Sequence, residues 1–127
     1  MNTHSFQGSA WYRLELGLGA DLFQSLRDFL NTEGLREAYV LYCIGSLDRV
    51  VLAYPKTKTV PPEIEHCALE GLFEINVIAG EARRQGDEIK IHLHGSVTKA
   101  GTEVSGGAII EGTRIFKVAE LVIVGVK

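Results

Sequence analysis

EIKIHLHGSVT, residues 88–98, alternates apolar and polar side chains along its whole length. A period of two is typical of a β-strand with one buried face and one wet face. The turn signal KAGTE follows, and EVSGGAII then returns as a second strand-like segment. The stretch therefore predicts a β-hairpin, with His92 and His94 on the wet face of its first strand.

Strand-like segments also occur on both sides of this hairpin. SAWYRLELG alternates in the same way, and residues 38–44 are apolar on both faces, which is typical of a strand covered on both sides. GSLD is interpreted as a turn and RVVLAY as the returning strand. CALEG, FEINVIAGEA, TRIFKV and ELVIVGV follow, with RRQGDE as a further hairpin turn. Because turn signals recur every ~8–12 residues, we expect a largely antiparallel sheet of seven or eight short strands.

One segment has a different period. In ADLFQSLRDFLNTEG, five large apolar residues recur at helical spacing and form one stripe. Asp21 followed by Gln24 fits an N-cap with a capping box, and Gly34 fits the stop after the last turn. The pattern predicts one main helix over residues 21–33, near the N-terminus. With the strands that follow, the predicted fold class is α+β.

Length and composition indicate a single domain over residues 1–127, with residues 1–8 as a loose N-terminal arm. The 127 residues are 46% hydrophobic, which is enough for one core. A net charge of −3 gives no overall attraction to nucleic acid. No secretory signal and no apolar run of about 20 residues is present, so we expect a cytoplasmic protein away from membranes. Cys43 and Cys67 both lie in apolar segments and are expected to be buried thiols.

The last strand, ELVIVGV, is apolar on both faces. A single helix cannot cover both faces of a sheet of this size. The chain therefore has more apolar sheet surface than it can hide alone, and a subunit interface is the natural cover. Self-association is the prediction.

The H-x-H pair is the strongest sign of chemistry in the chain. Side chains two apart on a strand project in the same direction about 7 Å apart, so both imidazoles could converge on one divalent ion such as zinc. A useful site needs a third ligand, for which His66, Glu70 and Glu74 are candidates. The alternative is a pair of surface histidines hydrogen-bonded to neighbours or water.

Other catalytic patterns find little support. His66 and Cys67 are neighbours on an extended chain and point to opposite faces, so they do not form a nucleophile–base pair. Ser96 and Ser105 lack the G-x-S-x-G elbow, and Gly106–Gly107 lacks a phosphate-binding pattern. No reaction can be assigned from these residues, and whether the protein is an enzyme stays open.

IGSLDRVVL, ALEGLFEINVIAGE, HLHGSVTKAGTEVSGGAI and AELVIVGV occur in an order that resembles the PPC domain, a module conserved between plants and prokaryotes. The resemblance covers residues 10–126. It implies a compact α+β domain with a largely antiparallel sheet, assembled as a homotrimer. In plants the domain accompanies AT-hook motifs that bind DNA, and stand-alone prokaryotic members are named DNA-binding by analogy. This chain has no AT-hook.

The resemblance also implies a polar cluster and shows one departure. Family members usually continue G-G with a histidine, which completes a three-histidine set that could hold a metal. This sequence has Ala108 at that position, so either His66 substitutes or the metal site is lost. The implied cluster here comprises His92, His94, Glu70, Glu74, Gly106 and Gly107.

Three functions remain open on this sequence. The first is a DNA-binding or regulatory protein that acts as a homotrimeric assembly module, with DNA or a DNA-associated protein as partner. The second is a trimer that binds a metal or small molecule through His92, His94 and Glu70. The third is an oligomeric module whose partner is another protein.

Overall fold

The computed structural model describes all residues 1–127. Strands account for 65% of the chain, and there is a single helix. The elements in chain order are β1 (Ser9–Gly17), α1 (Leu22–Glu33), β2 (Glu37–Pro55), β3 (Ile64–Gln85), β4 (Glu88–Lys99), β5 (Glu103–Ile109) and β6 (Arg114–Val126).

The predicted α+β fold with seven or eight short strands was wrong: the protein is mostly β, with six strands and one short helix. Three presumed strand breaks do not reverse the chain. GSLD lies inside β2, where a register shift between Leu47 and Arg49 marks a bulge. Gly71 continues β3 with a φ of 145°, and Lys117 continues β6 with a φ of 64°. Bulges and residues with positive φ bend a strand without ending it, so six predicted segments merge into three long strands.

The six strands form one antiparallel sheet in the order β1-β6-β2-β3-β4-β5. The sheet curls until β5 returns to β2, where Leu52 pairs with Ile109 and Ala53 pairs with Ala108. This closure is made by the second half of the bent β2, because its first half pairs with β6. The architecture is barrel-like, with β1 and β6 as an open extension.

The helix prediction was confirmed at both ends. The Gln24 amide donates a 2.9 Å hydrogen bond to Asp21 Oδ1, and Gly34 closes the helix in the left-handed conformation. The capping box is only half formed, since the Gln24 side chain donates to Asp28 at 3.0 Å. The helix, with 12 residues, has neither the length nor the hydropathy of a membrane span.

The helix packs on one face of β1 and β6, and that face continues into the core. Phe29 meets Tyr12 edge-on with ring centroids 5.1 Å apart. Cys43 lies in this core, and burial raises the pKa of its thiol to about 12. Cys67 is only half-buried, so the predicted burial was right for Cys43 alone. Residues 1–8 belong to no helix or strand.

Arg84 joins the end of the helix to the β3–β4 hairpin. Its guanidinium donates to the Leu35 carbonyl at 3.2 Å and to Asn31 Oδ1 at 3.0 Å. Arg84→Ala should reduce the free energy of unfolding by about 1–3 kcal/mol, because it leaves the Leu35 carbonyl without its partner. Chemical denaturation measures the loss. Arg36→Ala is the matched control and should have a much smaller effect, since the Arg36 side chain is 59% exposed and its only ion pair, with Glu37, is long at 3.5 Å. Equal effects would contradict this role.

Candidate functional site

His92 and His94 form a close pair on the outside of β4. The residue between them, Leu93, is 1% exposed and points into the core, so both imidazoles point outward. Their Nε2 atoms lie 3.0 Å apart, and the ring planes meet at 78°. At this distance one ring can donate an N–H to the other, which requires opposite tautomers at the facing nitrogens.

Two neighbouring strands complete the surroundings of the histidine pair. Glu81 on β3 lies directly opposite His92, and Ala79 lies opposite His94. Tyr39 on β2 is the next residue in the row after Glu81. Residues directly opposite one another share a face of the sheet. An open cavity of about 400 Å³ lies here, and its lining residues are Tyr39, Ala79, Gly80, Glu81, His92 and His94.

Charges beside the pair are largely compensated. Glu81 forms an ion pair with Arg83, and the carboxylate oxygen in this pair is out of contact with water. The Tyr39 hydroxyl donates a 2.7 Å hydrogen bond to Glu37. Burial and this hydrogen bond raise the pKa of Tyr39, so it remains a neutral phenol at physiological pH.

Glu81 is the residue that sequence reasoning missed. The hairpin turn RRQGDE was recognised, and the register follows from it, because Gln85 pairs with Glu88 at the turn. Counting back four residues on one strand and forward four on the other brings Glu81 opposite His92. The acidic neighbour could have been found from the turn, without any wider knowledge of the fold.

His66 does not join the pair. It shares a row with His94, but Ala53 and Ala108 lie between them on β2 and β5. Three strand spacings correspond to about 14 Å, too far for two imidazoles to share an ion. Ala108 is the direct neighbour of His94.

The predicted glutamates lie towards the other end of β3. Glu74 pairs with Thr98, and Glu70 forms an ion pair with Arg49 while Arg114 lies 3.9 Å away. Five residues separate Glu74 from Ala79, the neighbour of His94, which is about 17 Å along a strand. The structure therefore does not bring Glu70 or Glu74 to the histidines.

Gly106 and Gly107 allow β5 to pack closely against β4 next to the histidine pair. Gly107 pairs with Gly95, one position beyond His94 and Ala108. A Cβ atom at Gly106 would lie 2.7 Å from the Gly95 carbonyl oxygen. These glycines allow β4 and β5 to approach closely, and the approach fixes Ala108 beside His94.

The histidine pair has the right spacing for two ligands of one metal ion, but no third ligand stands beside it. Two nitrogen ligands on one ion, each at about 2.0–2.1 Å, stand roughly 3 Å apart, which matches the observed 3.0 Å. Ala108 offers no donor atom. No three His, Cys, Asp or Glu side chains are grouped closely enough to hold an ion as they stand. Glu81 is the nearest acid by register and is engaged with Arg83.

A second notable surface is the outer face, which we define as the side of β1, β6 and β2 turned away from the helix. Trp11 on β1 is 72% exposed, and Ile44 on β2 is 49% exposed. One row of cross-strand neighbours runs from Trp11 through Val124 to Tyr39. The same row continues to Glu81 and then to His92. The outer face also carries Leu41, Val118 and Val122. Arg13, Glu15 and Glu120 lie on the same face, so its apolar side chains are interspersed with charged ones.

These features define a class: a small, barrel-like antiparallel β domain with one helix, a surface histidine pair and an uncovered apolar sheet face. The chain belongs to the Plants and Prokaryotes Conserved (PCC) domain family, whose sequence profile matches residues 3–127. This is the PPC module to which the sequence motifs pointed, so the recognition was confirmed.

Known relatives share this domain in different settings. The bifunctional protein GlmU of a Synechococcus strain is 30% identical over 112 residues, covering 88% of this chain but only 16% of the relative. A PPC protein of Pyrococcus horikoshii is 25% identical, with a TM-score of 0.85 over 100% of this chain and 85% of its own. A hypothetical protein of Salmonella enterica is 28% identical, with a TM-score of 0.80 over 98% and 83%.

More distant structures share the fold alone. A metal-containing protein of Archaeoglobus fulgidus is 24% identical, with a TM-score of 0.85, covering 100% of this chain and 86% of its own. A protein of Bacteroides thetaiotaomicron, provisionally named DNA-binding, is 17% identical with a TM-score of 0.78, over 98% and 85%.

Proposed function

We propose that this chain is a homotrimeric assembly domain that acts in DNA-associated regulation through the partners it gathers. The observation that carries the proposal is the apolar outer face of β1, β6 and β2. Trp11 and Ile44 are exposed there although the helix side of the same strands is fully packed. Contiguous apolar surface of this kind marks an interaction site in a stable protein.

The relatives support an assembly role. In the Synechococcus GlmU protein the matching region is 16% of a larger bifunctional chain, so the domain occurs as an attachment to other proteins. A domain that gathers copies of whatever it is attached to would suit such varied contexts.

Sedimentation equilibrium tests the assembly. The expected mass is three times the 13.9 kDa of one chain, and it should persist on dilution to low micromolar concentration. A stable 13.9 kDa species at that concentration would overturn the proposal.

Direct DNA binding has little electrostatic support in this chain. Most arginines are engaged with carboxylates: the pairs are Arg27–Glu111, Arg36–Glu37, Arg49–Glu70, Arg83–Glu81 and Arg114–Asp48. Phosphate binding needs basic side chains that are free to release counterions from the duplex. We therefore place the DNA association suggested by the names of relatives in a partner rather than in this domain.

Fluorescence anisotropy with duplex DNA at low and physiological salt tests this placement. We expect no binding tighter than about 10⁻⁴ M at physiological salt, the weak end of non-specific affinities. Micromolar affinity that falls steeply as the salt concentration rises would show that the domain itself binds DNA.

A second function, divalent metal binding, is favoured by the 3.0 Å separation of the His92 and His94 nitrogens. In this proposal Glu81 leaves Arg83 and supplies the third ligand, giving a two-histidine, one-carboxylate set. Such a set suits zinc, iron or another first-row metal.

Calorimetric titration of untagged protein with Zn²⁺ measures this binding. We expect one ion per chain with micromolar affinity, lost in His94→Ala and weakened about 10-fold or more in Glu81→Gln. His66→Ala is the control and should bind as the wild type does. Equal binding by wild type and His94→Ala would exclude the pair as the site.

A further inference from the structure

An open cavity of about 450 Å³ lies where the N-terminal arm, residues 1–8, meets the end of the sheet. We name it the arm cavity. Its walls include His4, Phe6, Arg36, Glu37, Tyr39 and Arg83. The arm forms no helix or strand, yet Phe6 packs against Tyr39 with the ring centroids 5.1 Å apart. Aromatic rings attract one another at this spacing, so the arm is held in place as one wall of the cavity.

Two arginines in these walls have hydrogen-bond donors to spare. Arg83 contacts Glu81 through its Nε atom, and no hydrogen bond involves its two terminal nitrogens. Arg36 reaches Glu37 only at 3.5 Å, through one terminal nitrogen. The arginine side chains are 50% and 59% exposed, respectively. Because a guanidinium carries its N–H donors in a fixed fork, each arginine can bind an anion without leaving its glutamate.

The one carboxylate in the walls of the arm cavity is already engaged. Glu37 accepts a 2.7 Å hydrogen bond from the Tyr39 hydroxyl, and its side chain is only 18% exposed. Two arginines therefore line the cavity against a single, largely buried glutamate. An anion that enters gains charge-assisted hydrogen bonds from two guanidinium groups, and the charge of the walls favours it.

The size and lining of the arm cavity select the kind of anion. A cavity of this volume holds a small molecule. Phe6 is 45% exposed and presents its ring beside the arginines, which suits a ligand with a flat apolar group. A phosphate group has more acceptor oxygens than a carboxylate and can accept from two guanidinium forks at once, whereas a carboxylate matches a single fork.

We propose that the arm cavity binds a small aromatic phosphate ester. Its phosphate oxygens accept hydrogen bonds from Arg36 and Arg83, and its ring packs against Phe6 of the arm. The histidine pair is not among the walls, and every wall residue belongs to one chain, so this inference rests neither on metal binding nor on assembly. Two arginines at one point differ from the run of free cations that a duplex backbone requires, so the cavity suits a single phosphate group and not DNA.

Nuclear magnetic resonance titration with phenyl phosphate tests the site, with the backbone amides of Ser5, Phe6 and Arg36 as reporters. We expect saturable shifts with a dissociation constant on the order of 1 mM. Inorganic phosphate should bind about 10-fold more weakly, because it lacks the ring that Phe6 contacts. Amides that do not shift in excess phenyl phosphate would overturn the proposal, as would equal affinity for the two compounds.

Arginine variants locate the binding of the phosphate group. Arg83→Gln and Arg36→Gln should each weaken phenyl phosphate binding about 10-fold or more, through the loss of charge-assisted hydrogen bonds. Arg49→Gln is the matched control, since Arg49 also pairs with a glutamate of β3 but lies beyond the bulge of β2, away from the arm. The control should bind as the wild type does. An equal loss in Arg49→Gln would reveal a general effect of charge and contradict the site.

Phe6→Ala tests the aromatic contact without disturbing the sheet, because the arm belongs to no helix or strand. The variant should bind phenyl phosphate only as weakly as inorganic phosphate, and its affinity for inorganic phosphate should equal that of the wild type. If Phe6→Ala bound phenyl phosphate as tightly as the wild type, the arm would not be part of the site and the proposal would fail.

Discussion

The substitution Ala108→His is expected to create a metal ligand at a position where the natural alanine has no donor atom. Ala108 is the direct cross-strand neighbour of His94, and the His92 and His94 nitrogens are already 3.0 Å apart. A third imidazole beside them would complete a three-nitrogen set with one position left open. We expect the variant to bind Zn²⁺ or Co²⁺ on the order of 100-fold more tightly than the wild type.

Cobalt absorption in the visible region measures this gain, because a tetrahedral site gives an intense band. Thr102→His is the matched control, since it adds an exposed histidine at the β4–β5 turn, away from the pair and from His66. The control should bind as the wild type does. An Ala108→His variant with unchanged affinity would contradict the placement of residue 108 beside the pair.

Ile44→Lys is expected to convert the proposed trimer into monomers. Ile44 is 49% exposed in the single chain, so a lysine there does not disturb the core. It lies opposite Glu120, which offers the new ammonium a partner in the monomer. In an interface between copies, the same lysine would lose its hydration at a cost of several kcal/mol, which a single neighbouring carboxylate repays only in part. Folding should therefore survive while assembly fails.

Light scattering should give the 13.9 kDa of one chain for Ile44→Lys, with a far-ultraviolet dichroism spectrum like that of the wild type. Gln85→Lys, at the β3–β4 turn, adds the same charge away from the outer face and should leave the trimer intact. If Ile44→Lys kept the wild-type mass, the outer face could not be the interface.

The elements of this fold were predictable, but the continuity of its strands was not. The helix over residues 21–33 was found because its apolar stripe and both caps are local signals. GSLD and the segment around Gly71 have the composition of turns, yet both lie inside long strands. A glycine with positive φ serves a turn or a bulge equally well, and only pairing with distant strands decides between them.

The histidine pair was predictable for the same local reason. Alternation in β4 placed His92 and His94 on one face, as observed. Glu70 and Glu74 are close to the histidines in the motif but lie elsewhere in the structure, because β3 is long and its register with β4 is set at the distant turn. The acidic neighbour is Glu81, which a count from that turn would have identified.

The central claim is that sister copies cover the outer face, and Trp11 reports on it directly. It is the only tryptophan, and it is 72% exposed in the single chain. Acrylamide quenching of its fluorescence should be weak in the wild type and strong in Ile44→Lys. Strong quenching in both proteins, equal to that of the unfolded chain, would contradict the claim.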